Sequence, residues 1–270
     1  MKIRGYLALG IICIAFPFLD LFQRTVVALY VRIWPSRRIP MMTWWIQSMR
    51  GFVLGCFSKV GGARLSAPER VIASGPGTLI VMNHQSVLDI PLVVGTVRDG
   101  YPRIVTRRRY YRFIPLISHM VRLYQYPVVD PRARADRVRQ TLVSLSEAAV
   151  SSDVPIAIFP EGTRTRNGEI GRFKTRGLAA LLAEREWTVH VFVVDGFWTV
   201  AKLKHFIGGM AHINGSSAHL GSIEWTEPGS DPLPFIEAIR DGMIEGLRAL
   251  RAGEDPSGRL RLPGSVSGAE

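Results

Sequence analysis

The sequence predicts an α/β fold: a mostly parallel sheet flanked by helices, preceded by an N-terminal apolar helical segment that anchors the chain to a membrane. Three features predict it. From about Gly61 onward, short apolar runs rich in β-branched residues alternate with polar loops and amphipathic stretches, the texture of strands and helices laid around a parallel sheet. Ahead of them, Gly5 to Leu19 contains no charged residue. The chain has 270 residues, 47% of them hydrophobic, enough for one substantial core with something extra rather than two domains.

The N-terminal run follows Lys2 and Arg4 and is broken by Asp20 and Arg24. It is shorter than the about 20 apolar residues of a spanning helix. A secretory signal has a similar start, but no small-residue cleavage site is evident and a second apolar piece, Thr25 to Trp34, follows directly. Trp44, Trp45, Ile46, Met49, Phe52, Val53, Leu54 and Phe57 then recur on a helical stretch flanked by Arg37, Arg38, Arg50 and Lys59. Aromatic and basic residues in this mixture favour a membrane surface. Either a tilted or broken spanning segment or a pair of helices dipping into one leaflet fits, and the pair is preferred. Ordinary core helices over residues 5–57 are the bland alternative.

Strands are predicted at Thr78 to Met82, Arg103 to Thr106, Ile156 to Phe159 and Val189 to Val194. Val138, Leu142, Leu145 and Ala149 mark one helical face, and Ile236, Ile239, Met243, Leu247 and Leu250 another. After Ala252 the chain is rich in Gly, Ser, Pro and charge. The division is therefore a membrane-associated segment over 1–60, a catalytic domain over 61–252 and a flexible tail over 253–270.

Lys and Arg total 34 against 22 Asp and Glu, a net charge of +12, which implies an anionic partner such as phospholipid, a phosphorylated substrate, a coenzyme or nucleic acid. No nucleic-acid-binding motif interleaves the charge, and the apolar N-terminus suits a bilayer better. Cys13 and Cys56 are the only cysteines, so a secreted disulfide framework is not expected and a reducing, cytoplasmic setting is the default. His119, His190, His205, His212 and His219 show no metal-ligand spacing; no metal or cofactor is expected.

The chemistry begins at Asn83-His84-Gln85-Ser86-Val87-Leu88-Asp89, directly after the predicted strand 78–82. Residues five apart on a regular helix point about 140° away from each other, so His84 and Asp89 meet only if the helix starts between them. Pro91 suits a first helical turn, and Ser86 with Asp89 resembles a capping pair. His84 then lies in the strand-to-helix loop, where the carboxylate folds back onto the imidazole. Such an Asp fixes the ring's tautomer and supports the charge gained when the other nitrogen takes a proton from a hydroxyl. An isolated H-x4-D match is as readily a loop histidine beside a helix-capping aspartate.

A second signal, Phe159-Pro160-Glu161-Gly162-Thr163-Arg164-Thr165-Arg166, follows the predicted strand 156–159, at the strand end where α/β sites form. Gly162 allows close backbone approach, Thr163 supplies a hydroxyl, and Arg164 can grip a phosphate in a bidentate fork. A charged surface turn explains Arg166 to Glu169 but not the whole octet.

In this order and separation, N-H-x4-D and F-P-E-G-T-R resemble the glycerolipid acyltransferase family, which includes the 1-acylglycerol-3-phosphate acyltransferases that make phosphatidic acid. The resemblance covers roughly residues 60–225. It implies that His84 is the general base, Asp89 its orienting partner, and Glu161, Gly162, Thr163 and Arg164 the acceptor-binding segment. Arg107 and Pro115 fit the family's second block, but Pro131 stands where an arginine is expected, with Arg132 or Arg134 as substitutes. Phe173, Lys174 and Gly177 match the start of the family's following helix, and Lys174 joins the substrate-binding set. The prolines of the fourth block are missing from His190 to Gly196, which points to altered acceptor or acyl contacts.

The resemblance implies direct transfer from acyl-CoA or acyl carrier protein to a lysolipid hydroxyl, without an acyl-enzyme, at the cytoplasmic face of a bacterial inner membrane. Backbone N–H groups near Gly162 are candidate oxyanion donors. The acceptor is lysophosphatidic acid, another lysophospholipid, glycerol 3-phosphate or an aminolipid. A serine hydrolase lacks its G-x-S-x-G here. From another class, a non-catalytic protein could hold acidic lipid through Arg107, Arg108, Arg109 and Arg112.

Overall fold

A computed structural model describes residues 2–130, 135–201 and 203–260 of the chain. Helix α1 (Lys2–Phe22) continues through a π-helical turn, Gln23–Val27, into α2 (Ala28–Ile33). The two apolar pieces expected on either side of Asp20 and Arg24 are thus one helix. Those two charges lie four residues apart and pair at 2.8 Å, neutralising each other on one helical face instead of ending the helix. The run Lys2–Ile33 contains an 18-residue window with a mean hydropathy of 2.0 and is long and apolar enough to cross a bilayer. Helix α3 (Arg38–Gly55) follows, extended by a second π turn, Cys56–Val60.

The α/β domain then runs β1 (Arg64–Leu65), β2 (Thr78–Met82), α4 (Asp89–Gly95), β3 (Arg103–Ile104), β4 (Thr106–Arg107), α5 (Ile117–Leu123), β5 (Val128–Val129), α6 (Ala135–Ser151), β6 (Ile156–Ile158), α7 (Thr175–Leu182), β7 (Trp187–Asp195), α8 (Leu203–Gly209), β8 (Asn214–Trp225) and α9 (Leu233–Ala252). The main sheet has the order β1-β8-β7-β2-β6-β3, and β4 pairs with β5 beside it. Every pairing is parallel except β7 with β8. The strand expected over 103–106 divides because the chain changes partners: the Val105 N–H donates to Ala157 in the main sheet, and the Thr106 N–H donates to Pro127.

Side chains alternate across β2. Ile80 and Met82 face a core shared with Ala8 and Ile12 of α1, Met42, Trp45 and Ile46 of α3, and Phe206 of α8. Leu79 and Val81 face the opposite core, which holds Leu145 and Ala149 of α6 and Ile236, Ile239, Met243 and Leu247 of α9. The N-terminal helices therefore complete one layer of the domain. Gly5 makes this possible, because a Cβ there would stand 2.4 Å from the Ile207 carbonyl oxygen of α8. The outer face of the same helix exposes Ile3, Leu7, Ile14, Phe18 and Leu21, so the core reading of residues 5–57 describes its inner side alone.

Gly253 ends α9 in the left-handed region at φ 74°, where a residue without Cβ carries no steric cost. Of the tail expected from 253, residues up to Leu260 lie against the domain: the Gly258 N–H donates to Leu220 of β8, and Leu260 packs on Gly242 of α9.

Candidate active site

Strands β7, β2 and β6 are neighbours in the sheet, and polar residues of the site stand at or just beyond their carboxyl ends. Beyond β2, Asn83 forms two hydrogen bonds with the Val194 backbone, donating from Nδ2 at 2.9 Å and accepting at Oδ1 at 2.7 Å. This side chain continues the β2–β7 pairing past the strand and fixes where the loop departs. The loop carries His84, and α4 starts at Asp89, as the spacing requires if the two are to meet.

Asp89 is fully buried, and its Oδ2 accepts from His84 Nδ1 at 2.7 Å, from the Gln85 N–H at 2.6 Å and from the Ser86 N–H at 2.8 Å. A carboxylate only accepts, so Nδ1 carries the ring proton and Nε2 keeps its lone pair. Among the described residues Nε2 has no hydrogen-bond partner, and the His84 side chain is 19% exposed. The ring lies against Phe159, centroid to centroid 4.5 Å at 28°. The capping pair takes a different form from the one expected. Ser86 Oγ accepts weakly from the Leu88 N–H at 3.4 Å, while the carboxylate binds the loop amides.

The second motif grips the first. Glu161 Oε1 accepts from the His84 N–H at 2.7 Å, and the Thr165 N–H donates to the His84 carbonyl at 2.8 Å. Glu161 Oε2 accepts from the Gly171 N–H at 2.9 Å. Burial raises the Glu161 pKa above the ordinary glutamate value, against the opposing pull of these two N–H donors. Each of its oxygens accepts one hydrogen bond inside the protein, so Glu161 holds the histidine loop.

Gly162 sits at φ 59°, a left-handed conformation that favours glycine, and the exposed Lys174 stem packs over it. Its N–H, expected as an oxyanion donor, instead donates to the Phe159 carbonyl at 3.0 Å, closing the turn. Arg107 donates to the Gly162 carbonyl from the end of β4. Arg164 is half-buried, with Nη1 donating to the Ala201 carbonyl at 2.5 Å, while Thr163 and Lys174 are exposed. Three cations, Arg107, Arg164 and Lys174, thus gather at the turn. Arg132, the substitute expected in the second block, lies outside the described residues.

A family model described as Acyltransferase matches residues 64–194, the stretch that contains both motifs. Over that stretch the chain resembles the glycerolipid acyltransferase family. A 1-acyl-sn-glycerol-3-phosphate acyltransferase of Cocos nucifera is 24% identical over 173 residues, 62% of this chain and 53% of that protein. The 1-acyl-sn-glycerol-3-phosphate acyltransferase beta of Homo sapiens is 26% identical over 166 residues, 60% of this chain and 58% of that one. The chain thus spans just over half the length of these relatives. In fold it resembles the crystal structure of the 1-acyl-sn-glycerophosphate acyltransferase PlsC from Thermotoga maritima, with a TM-score of 0.52 and 19% identity over 90% of this chain and 98% of that one.

A further layer behind the motifs was not anticipated. Gln85 donates to Asp195 Oδ1 at 3.0 Å and to the Gly168 carbonyl at 3.3 Å, and accepts from the Phe197 N–H at 3.0 Å. Arg251, on the last turn of α9, donates to both oxygens of Asp195, to Glu169 Oε1 at 2.7 Å and to the Gly168 carbonyl at 2.9 Å. Burial alone would raise the Asp195 pKa, but the hydrogen bonds from Arg251 and Gln85 outweigh it and hold the carboxyl below the usual aspartate value. Asp195 had a positional signal, being at the end of a strand. Arg251 had none, since it stands 56 residues from its partner. Among the described residues no three His, Cys, Asp or Glu side chains group as metal ligands.

Proposed function

We propose that the chain is an O-acyltransferase that moves a fatty acyl group from acyl-CoA or acyl carrier protein to the free hydroxyl of lysophosphatidic acid, giving phosphatidic acid. The observation that carries this reading is the His84–Asp89 pair: a 2.7 Å contact to a fully buried carboxylate that leaves Nε2 open. The acceptor hydroxyl gives its proton to His84 Nε2 as its oxygen attacks the thioester carbonyl. The tetrahedral centre then collapses, the carbon–sulfur bond breaks, and the imidazolium returns the proton to the departing thiolate. Asp89 supports the imidazolium between these steps.

Arg164, with Arg107 and Lys174 at the same turn, supplies the positive charge for an acceptor phosphate, and Thr163 a hydroxyl. The exposed apolar face of α1–α2 supports a site held at a membrane, for which the cytoplasmic face of a bacterial inner membrane is the proposed location. The test is acyl transfer by detergent-purified protein. Labelled acyl-CoA and acyl carrier protein are offered against lysophosphatidic acid, other lysophospholipids, glycerol 3-phosphate and aminolipids, with His84→Ala as the blank. Label on lysophosphatidic acid that depends on His84 supports the full reading, and label on another acceptor corrects the substrate alone. No His84-dependent transfer to any acceptor refutes the reading.

A further inference from the structure

The loop between β4 and α5 has no role in the chemistry above. Its residues Arg108–Tyr111 form a 3-10 turn, with Arg108, Arg109, Arg112 and Phe113 exposed. Phe113 is 95% exposed and sits at φ 71°, a left-handed conformation that costs a non-glycine residue about 1 kcal/mol or more. A phenylalanine held out in water on a strained backbone has no reason in the core. Between Asp99 and Asp130 the sequence carries Arg103, Arg107, Arg108, Arg109, Arg112 and Arg122 and no carboxylate. Among the described residues no carboxylate forms an ion pair with Arg108, Arg109 or Arg112. Two of the arginines stiffen the aromatic part of the loop: the Arg109 guanidinium lies 4.7 Å from the Tyr110 ring centroid, and that of Arg122 lies 5.6 Å from that of Tyr111.

The loop is also tied to the apolar helix. Gln23, fully buried in the π turn, donates to the Leu116 carbonyl at 3.2 Å, is 2.8 Å from His119 Nδ1, and accepts from Trp45 Nε1 at 2.7 Å. Leu116 is three residues from Phe113, a chain length of at most about 11 Å. The exposed Phe113 is therefore fixed close to Gln23, whose helical neighbours Phe22 and Val26 are themselves exposed.

We propose that the loop 108–113 is a second membrane contact: Arg108, Arg109 and Arg112 dock on anionic phospholipid headgroups, and Phe113 inserts beside the apolar face of α1–α2. Arg107, next in the chain, bonds the Gly162 turn, so this docking sets the rim of the site against the bilayer. The rim assignment rests on the acyltransferase reading; the docking does not.

The test uses the full chain with vesicles of phosphatidylcholine alone or with phosphatidylglycerol added. Each arginine near an anionic surface strengthens binding about fivefold, so Arg108→Gln, Arg109→Gln and Arg112→Gln together lower partitioning onto the anionic vesicles by up to about a hundredfold at low salt. Binding to neutral vesicles stays near that of the parent. A polarity-sensitive dye on Phe113→Cys in a Cys13→Ser background shifts to apolar emission on anionic vesicles, as does the same dye on native Cys13 of α1, while Cys56 is buried. A triple variant that partitions like the parent overturns the proposal, as does a dye at 113 that stays in water while the dye at 13 does not. Transfer in detergent micelles stays at the parent level in the triple variant; loss there assigns the arginines to the site and also overturns it. If the parent itself transfers nothing in micelles, the acyltransferase reading fails while the partitioning result stands on its own.

Discussion

Asp89→Asn separates the two services the carboxylate performs for His84, orientation and charge. Oδ2 faces three donors, whereas Oδ1 is buried with no partner among the described residues. The asparagine oxygen must therefore take the Oδ2 place, because an NH2 group there would confront three N–H groups. That orientation keeps a proton on Nδ1 and leaves Nε2 as the base, so the variant retains the tautomer and loses the charge. A carboxylate and an imidazolium about 4 Å apart attract by about 4 kcal/mol at an effective dielectric constant of about 20. His84 is 19% exposed, and solvent screening leaves roughly 2–4 kcal/mol, or a loss of about 30- to 1,000-fold in kcat. The asparagine NH2 is buried without an acceptor, which costs about 1–3 kcal/mol of stability and lowers Tm. Initial rates across donor concentrations, with a thermal melt of each variant, read both quantities. Turnover within about threefold of the parent would refute electrostatic support, and turnover as low as in His84→Ala would show that the tautomer was lost as well.

Glu161→Ala strips acceptors from the part-buried His84 and Gly171 N–H groups, and at up to about 1–3 kcal/mol for a donor left unsatisfied a Tm drop accompanies a fall in kcat; unchanged stability would mean that water replaces the carboxylate. Arg164→Ala raises the acceptor KM by about 10-fold or more, the equivalent of one charge-assisted hydrogen bond; Arg164→Lys does not restore it, and an effect confined to kcat would give Arg164 a transition-state role instead. Asp195 has a folded-state pKa below its unfolded value, so its stabilisation is present above the ordinary aspartate pKa of about 3.9 and is lost as pH falls through the lower folded value. Denaturant melts of Asp195→Asn are expected to show a deficit at pH 7 that closes as pH falls below the ordinary aspartate range; a deficit independent of pH would assign the loss to packing.

Residues whose partners are local were readable. The departure from β2, the return of Asp89 and the start of α4 are all governed by seven consecutive residues, and steric and capping rules are sufficient there. The faces of α6 and α9 followed from periodicity, because each buries one stripe. What escaped the sequence depends on distant partners. Strand β8, with its serines and glycines, has little strand preference of its own and forms because β7 offers it a long antiparallel edge. The division at Val105 reflects a change of partner strand, and the joining of α1 to α2 depends on an ion pair that a count of apolar residues treats as an interruption. Glu161 was read as facing a ligand because it stands in a phosphate-binding pattern, and only the β2–β6 adjacency reveals that it faces His84.

That adjacency explains why two motifs 77 residues apart act as one object. Parallel pairing aligns Val81 with Ile158, and β7 pairs with β2 on the other side, Met82 with Phe192. Three loops therefore leave the same end of the sheet side by side. The middle loop carries the histidine, and its neighbours hold it from both flanks: Glu161 and Thr165 bind its backbone from the β6 side, and Val194, Asp195 and Phe197 bind Asn83 and Gln85 from the β7 side. Arg251 then ties the β7 flank to the β6 flank by bridging Asp195 to Glu169. The position of the His84 loop is thus fixed by several contacts at once, from backbone groups and from the Glu161, Asn83, Gln85 and Asp195 side chains, while Thr163 and Lys174 are exposed and Arg164 is half-buried at the β6 loop. Such a division separates the support of the base from the side chains that the proposed reading assigns to the acceptor phosphate.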